Sequence, residues 1–255
     1  MTSHDASLEW LDGAPRSRRF EDVYFCGDGL AESRAVFLEG AGLPGAWEAA
    51  GAPNPFVVGE LGFGTGLNIL ALLDLWRRTR PPGGRLRVFT VEGYPLSRDE
   101  AGRALRAWPE LAELTGLLLA AWPSARPGFH RIELGELGAV IDLAVGEVEP
   151  ALAAWDGRAN TWFLDGFAPS KNPQMWTQEV LGLVAARSAP GARAATFTVA
   201  GAVRRGLEAA GFEVAKAPGF GRKKERLEAV LPGAPPKPRA SPRVAIVGAG
   251  IAGAA

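Results

Sequence analysis

The sequence predicts an α/β fold with a mainly parallel sheet covered by helices on both faces. Three observations predict it. Short apolar, β-branched runs alternate with longer stretches of helical period between residues 56 and 209. Glycine- or proline-rich turns separate them. Polar residues then stand at the ends of the runs: Glu60, Glu92, Glu147, Asp165 and Thr198. Ligands of such sheets bind outside the carboxyl ends of the strands, near the switch in strand order. The third observation therefore marks a candidate crevice, although strand ends are loops and loops are polar in any case.

The elements follow in order. Residues 1–22 are polar and arginine-rich, with Arg16, Arg18 and Arg19 close together. Residues 24–40, YFCGDGLAESRAVFLEG, have aromatic and β-branched residues on both sides of Gly27-Asp28-Gly29. They are expected as a pair of short strands or as an ordered cover over a site. The spacing then predicts a buried strand over 56–61, a helix over 67–78, a loop at 81–84 and a second strand over 86–91, ended by Glu92. A helical region follows, broken near Trp108-Pro109 and finished by Pro123. Strands are expected over 140–145, 161–164 and 192–198, with helices over 175–187 and 202–209, and a turn at Pro190-Gly191. Residues 212–216 and 225–230 close the sheet as a hairpin. The division this implies is an extension with short strands over 1–55 and a binding domain over 56–231. A proline-rich linker over 232–242 and the start of a second dinucleotide-type domain over 243–255 follow, marked by GAGIAG after an apolar run.

Bulk composition narrows the class. Of 255 residues, 47% are hydrophobic and 22% charged, ordinary for a globular chain. The single cysteine, Cys26, excludes an internal disulfide and a thiolate metal cluster. The histidines, His4 and His130, lie far apart without a ligand set, so no metal is expected. Net charge is zero, which carries no nucleic-acid signal by itself. The N-terminus lacks the order of a signal peptide and no apolar run is long enough to span a bilayer, so the expectation is a soluble, cytoplasmic protein without membrane contact.

Two stretches carry chemistry. The first is VVGELGFGTGLN, residues 57–68. A phosphate-binding Walker loop is excluded because Leu67 follows Gly66 where a lysine is needed. A dinucleotide site with Glu92 as its distal acid remains open. Glu60, however, stands just before the glycines; an acid there repels a pyrophosphate and attracts the ammonium of an amino-acid moiety. The second stretch is WFLDGFAPSKNP, residues 162–173. An acid at a strand end, followed by an irregular aromatic loop, suits a primary amine that must aim its lone pair at an electrophile. Carboxylate and carbonyl acceptors hold the amine hydrogens and stabilise the charge that grows on nitrogen. The bland alternative is that Asp165 caps the next turn.

These stretches, with VEGYPL, TFTVAGAVRRGL, GFGRKKE, the early residues 24–40 and WPEL at Trp108, closely resemble the methyltransferase half of the MnmC family of bifunctional tRNA-modifying enzymes. The resemblance runs from about Val23 to Val230. It implies a class I S-adenosyl-L-methionine (SAM)-dependent, Rossmann-like methyltransferase with a mostly parallel sheet, a C-terminal β-hairpin and an N-terminal extension. The implied reaction is methylation of the 5-aminomethyl group of a tRNA wobble (2-thio)uridine. An FAD-dependent oxidoreductase domain follows in that family, which matches VAIVGAGIAG; FAD would belong to the longer chain alone. Carried over by position, Glu60, Gly62, Gly64 and Gly66 line the methionine part of SAM, and Phe63, Thr65, Asn68 and Asp165 also belong to the cofactor-binding set. Glu92 takes the ribose with Tyr94 nearby, and Gly146 and Glu147 flank the adenine. Asp165, Gly166 and Phe167 face the amine. Glu147 stands where the family has aspartate, and Ser170 where alanine is common.

Basic residues concentrate late in the chain, at Arg204, Arg205, Lys216, Arg222, Lys223, Lys224 and Arg226, with Lys171 and Asn172 in the aromatic loop. Such a cluster either positions RNA through its phosphates or is a solvated surface. With the family it reads as tRNA contact. Phe167 or Trp176 would stack on a splayed base; Trp176 reads equally as core. The rival functions are methylation of a different amine, a NAD-binding dehydrogenase, and a binding module without activity.

Overall fold

A computed structural model describes residues 8–11, 13–25, 27–50, 54–221 and 223–233. The expected linker beyond residue 233, the glycine fingerprint over 248–253, His4, Cys26 and Arg222 lie outside the described residues. Strands β1 (Leu8–Leu11), β2 (Ala14–Ser17) and β3 (Asp22–Val23) form a small antiparallel sheet. Residues 24–40 are not a strand pair. After Tyr24 and Phe25 they form α1 (Gly29–Glu32), which runs into a π-helical stretch, Ser33–Glu39. The physical reason is local: the Asp28 carboxylate accepts the Ala31 N–H at 3.0 Å as an N-cap. Leu30, Ser33, Val36 and Phe37 then recur on one buried face. Short α2 (Gly45–Ala50) follows.

The main sheet is built from β4 (Phe56–Leu61), β5 (Leu86–Glu92), β6 (Gly128–Leu134), β7 (Ala139–Val145), β8 (Ala159–Leu164), β9 (Ser188–Thr196), β10 (Glu213–Pro218) and β11 (Glu225–Val230), in the order β10-β11-β9-β8-β4-β5-β7-β6. Pairs among β4, β5, β7, β8 and β9 are parallel; β6, β10 and β11 pair antiparallel at the two edges. Helices α3 (Leu67–Thr79), α4 (Arg98–Leu105), α5 (Ala112–Ala120), α6 (Val148–Ala154), α7 (Gln178–Ala186) and α8 (Gly201–Ala209) connect and cover it. Residues 212–218 and 225–230 are the expected hairpin, and β11 extends the sheet beside β9.

Four further expectations change. The strand expected over 192–198 is β9, Ser188–Thr196, which takes in the turn expected at Pro190-Gly191. β6 was not anticipated, because an edge strand reading GFHRIEL exposes most of its side chains and lacks an apolar run. It is held instead by Arg131, which with Arg87 of β5 hydrogen-bonds the buried Asp142 of β7 at 2.7 and 2.9 Å. Helix α6 was likewise unmarked, being only two turns long. The helix expected over 175–187 is divided: a 3₁₀ turn, Pro173–Trp176, precedes α7, whose N-cap Thr177 accepts the Val180 N–H at 3.2 Å.

Strand order fixes the crevice. From β4 the chain builds outward through β5 and β7, then returns to lay β8 against the other edge of β4. The switch point lies between β4 and β8, so Leu61 and Leu164 end side by side. Close approach of these strands depends on Gly59, whose register partner is Trp162. A Cβ on Gly59 would lie 2.3 Å from the Trp162 ring, which is fully buried and pinned by its Nε1–H to Ser188 Oγ at 2.9 Å. Gly59→Ala is therefore expected to lower stability by about 1–3 kcal/mol, seen as a lower denaturation midpoint in urea. An unchanged midpoint would mean that the indole moves freely. Among the described residues no helix is long and apolar enough to cross a membrane.

Candidate functional site

A cavity of about 680 Å³ opens over the carboxyl ends of β4, β5, β7 and β8. Its floor is the glycine turn. Gly62 and Phe63 donate their N–H groups to Val91 O at 3.0 and 3.1 Å, which ties the turn to β5. The glycines have separate tasks. Gly62 (φ +94°) passes so close to the next strand's end that a Cβ would sit 2.1 Å from Asp165 O. Gly64 (φ +53°) faces the cavity near Tyr24. Gly66 (φ +81°) is the left-handed N-cap of α3, packed under Leu118 and away from the cavity lining.

Sequence-expected residues Gly62, Phe63, Gly64, Thr65, Asn68, Glu92, Gly146, Glu147, Asp165, Gly166, Phe167, Asn172 and Lys223 all line this cavity. Glu92 Oε2 accepts the Gly64 N–H at 2.9 Å and Oε1 the Tyr94 N–H at 2.8 Å. Burial raises its proton affinity while these backbone donors oppose the rise. A carboxylate accepts about four hydrogen bonds, so Glu92 keeps acceptor capacity toward the cavity.

Glu60 departs from its expected place. It does not line the cavity but lies one layer beneath, 0% exposed. The penultimate strand position turns its side chain inward beside its register partner Thr90, whose hydroxyl donates to Oε2 at 2.6 Å. Oε1 is buried without a partner. Desolvation pushes the Glu60 carboxyl well above the ordinary range, opposed by Thr90 and reinforced by the charge of Asp165. Burial therefore favours its protonated form, against the standing anion that the motif suggests.

Asp165 is reached through a short relay. Ser33 Oγ donates to Asn68 Oδ1 at 2.6 Å, which fixes the amide orientation, and Asn68 Nδ2 donates to Asp165 Oδ2 at 2.7 Å. Burial raises the Asp165 pKa to about 7, against the Asn68 hydrogen bond; Glu32 adds to the rise and Lys223 reduces it. Nothing in the sequence pattern tied Ser33 to this acid, since it arrives from the π-helical stretch.

The roof also escaped sequence reasoning. Arg19, Phe20, Asp22 and Tyr24 come from the N-terminal extension and line the cavity with Glu32 and Ser33. Asp22 Oδ2 accepts the Ala168 N–H at 3.0 Å, fastening the extension to the loop after β8. The only hint was the aromatic segment 24–40, one of whose two expected roles, a cover over a site, matches its position here. Trp176 is buried and donates Nε1–H to Phe167 O at 3.0 Å, so it braces the loop rather than presenting a platform.

The basic cluster is less open than its sequence implies. Arg204, Arg205, Lys171 and Lys224 stand outside the cavity lining. Lys171 pairs with Glu21 at 3.4 Å, Arg204 with Glu208 at 3.6 Å and Lys216 with Glu225 at 2.8 Å. Lys223 reaches the cavity rim, where its ammonium pairs with Glu32 at 2.8 Å and sits 4.2 Å over the Phe197 ring.

This donor set suits a cationic ligand with a hydroxylated sugar. Gly64 leaves bare backbone where a Cβ would intrude, Glu92 offers acceptors, and Glu60 Oε1 and Asp165 supply latent negative charge below the turn. A pyrophosphate laid over the same turn would meet the carboxyl groups of Glu92 and Asp165, which line the cavity. SAM fits these residues; a dinucleotide does not. Among the described residues no group of side chains suited to a metal ion occurs.

Comparison with known proteins gives the same cofactor. A family model described as S-adenosyl-L-methionine-dependent methyltransferase matches residues 109–232. Curated relatives named tRNA 5-methylaminomethyl-2-thiouridine biosynthesis bifunctional protein MnmC align along nearly the whole chain. Those of Caulobacter sp. and Caulobacter vibrioides are 63% and 64% identical over 97% of this chain and 42% of their own length. That of Maricaulis maris is 54% identical over 98% and 43%. The chain thus spans about two fifths of the length of the relatives it matches. The crystal structure of MNMC2 from Aquifex aeolicus superposes with a TM-score of 0.68 over 91% of this chain and 72% of its own, at 21% identity, and shares the fold. The chain belongs to the family of S-adenosyl-L-methionine-dependent methyltransferases represented in the MnmC proteins.

Proposed function

We propose that this chain methylates the 5-aminomethyl group of a tRNA wobble (2-thio)uridine to give the 5-methylaminomethyl base. The observation that carries the reading is Asp165. It lies at the switch point beside the glycine turn, with Oδ2 held by Asn68, in a cavity roofed by aromatic rings. The names of the relatives supply the substrate.

Glu92 holds the ribose hydroxyls, Gly62 to Thr65 and Asn68 flank the methionine part, and Gly146 and Glu147 border the adenine. Bound there, SAM supplies an electrophilic methyl on a sulfonium. Asp165 does the rest of the work on the acceptor. An aliphatic amine has a pKa near 10, by analogy with about 10.4 for lysine, and arrives as an ammonium without a lone pair. Asp165 takes a proton from it, and a group that titrates at about 7 is suited to do so at neutral pH. Lys223, Asn172 and Lys171 meet the RNA near the cavity, while Arg204, Arg205 and Lys224 contact phosphates farther out; Arg222 is assigned to the RNA from the sequence alone. The extension, catalytic domain, linker and second-domain start assigned from sequence complete the organisation, in a cytoplasmic enzyme with an FAD-dependent partner domain in cis.

The experiment is transfer of labelled methyl from SAM to tRNA bearing 5-aminomethyl-2-thiouridine, with unmodified tRNA as control. Label on the modified tRNA alone is expected; label on neither refutes the reading. Calorimetry with SAM and with NAD separates the dehydrogenase alternative.

The buried acids add a second expectation. A sulfonium and an ammonium entering above Glu60 and Asp165 stabilise their ionised forms, so SAM binding releases protons near pH 7. The calorimetric enthalpy should change with the ionisation enthalpy of the buffer; identical enthalpies in phosphate and Tris would show that both acids keep their charge state.

A further inference from the structure

The cavity wall that continues from Asp165 is aromatic, and much of it comes from outside the main sheet. The Phe20 ring centroid lies 4.9 Å from that of Phe167 at an interplanar angle of 31°, and Tyr24 meets Phe167 edge-on at 5.1 Å. Tyr94 stands 5.7 Å beyond Phe20. Core aromatics of this protein, such as Trp162 and Phe89, are fully buried, whereas Phe20, Tyr24 and Phe167 remain half-buried and line the cavity. The wall is also braced. Asp22 holds the Ala168 N–H, Trp176 holds Phe167 O, and the Tyr24 N–H donates to Pro15 O at 3.0 Å. Ring surface that is braced in place and still open to a cavity is available for a ligand to stack on.

Phe167 follows Asp165 by two residues. In the proposed substrate a single methylene separates the acceptor amine from its pyrimidine ring. With the amine at Asp165, the ring has only the neighbouring wall to rest on. We infer that Phe20, Tyr24 and Phe167 form a nucleobase subsite, which takes one unstacked pyrimidine of a single-stranded RNA loop against its ring faces. This deepens the RNA-methylation reading and rests on it. Every base has a π-face, so such a wall holds a splayed base without reading its edge. Two cations line the same cavity. The Arg19 guanidinium lies 4.1 Å over Tyr94, and the Lys223 ammonium, paired with Glu32, lies over Phe197. Both suit phosphates that flank an extruded nucleotide. On this assignment the N-terminal extension is part of the substrate site, and the methyltransferase sheet by itself has only one of the three rings.

The test uses anticodon-loop hairpins that carry either 5-aminomethyl-2-thiouridine or an abasic residue at the wobble position. Binding to the parent, Phe20→Ala, Phe20→Leu and Phe20→Trp proteins is read by fluorescence anisotropy, and SAM affinity in each reports an intact fold. Phe20→Ala should bind the base-bearing hairpin about tenfold or more weakly and the abasic hairpin as the parent does. Phe20→Trp should recover most of the loss. Phe20→Leu keeps apolar volume without a π-face and should lose affinity in the same selective way, even if the alanine variant fails to fold. Equal loss on both hairpins, or no loss on either, overturns the subsite. If the parent transfers no methyl to modified tRNA, the substrate reading fails separately. A parent preference for the base-bearing hairpin that Phe20→Leu removes would then still support the subsite, and the absence of that preference would refute it.

Discussion

Asp165→Asn is expected to keep SAM binding within a few-fold of the parent while methyl transfer falls by about 10²–10⁴. Asparagine preserves the shape and can still accept from Asn68 Nδ2, but it cannot take the proton of an ammonium. The same substitution has a signature in stability that an inert surface acid would lack. Burial places Asp165 at about 7, against an ordinary 3.8 for the unfolded chain, despite the Asn68 hydrogen bond. Between those values the native state keeps a proton that the unfolded chain releases, so the Asp165 contribution to stability falls as pH rises through that window and levels off above it. Asparagine removes this penalty. The variant should therefore be more stable than the parent at about pH 8, and the difference should close toward about pH 4. Urea denaturation at the two pH values checks the sign, and the parent's transfer rate should rise as pH passes through about 7. A variant that retains parental activity, or a stability difference that does not depend on pH, removes Asp165 from the role assigned to it.

Gly62→Ala should have the other large effect, and Gly64→Ala is its control. A Cβ on Gly62 meets the Asp165 carbonyl oxygen at 2.1 Å, and that oxygen belongs to the backbone at the end of β8. No side chain can swing aside. The ends of β4 and β8 must separate, against the Asp165 N–H that donates to Leu61 O at 3.1 Å. The residue's φ of +94° adds strain for any L side chain. A loss of roughly 3 kcal/mol or more, in the range of the worst core lesions, is expected, together with loss of SAM binding. At Gly64 the φ of +53° is a left-handed value that alanine adopts for about 1–2 kcal/mol. The nearest atom there is Cδ1 of Tyr24 at 3.2 Å. Gly64→Ala should therefore fold, with a modest fall in midpoint, and lose affinity because the methyl enters the ligand's space. Thermal melts and SAM calorimetry on both variants separate the two cases; equal stability losses would mean that the strand ends yield more easily than their hydrogen bonds suggest.

Much of the main sheet was legible because its central strands are buried on both faces and read as apolar runs. β4 occupies the expected residues, 56–61, and α3 and β5 each end one residue beyond them. The elements that were missed are those whose stability is tertiary. β6 is an edge strand stapled through Asp142, and α1 is a cap-initiated helix whose aromatic flanks imitate a strand. The glycine turn and the strand-end acids Glu92 and Asp165 were visible as chemistry, since residue type and spacing along one segment are enough to mark them.

Sequence alone determined the α/β class, the glycine-lined crevice at the strand ends and the family to which those motifs point. These depend on local periodicity and on backbone freedom that only glycine supplies. The folded chain decided what each acid faces. A carboxyl group's charge depends on its solvation and its neighbours, and these come from residues distant in sequence. Glu60 is sealed beneath the turn beside Thr90, while Asp165 is held by an asparagine that Ser33 orients. The aromatic roof is likewise fastened by tertiary contacts, among them Asp22 of the extension meeting a backbone N–H 146 residues later, a contact no periodicity encodes.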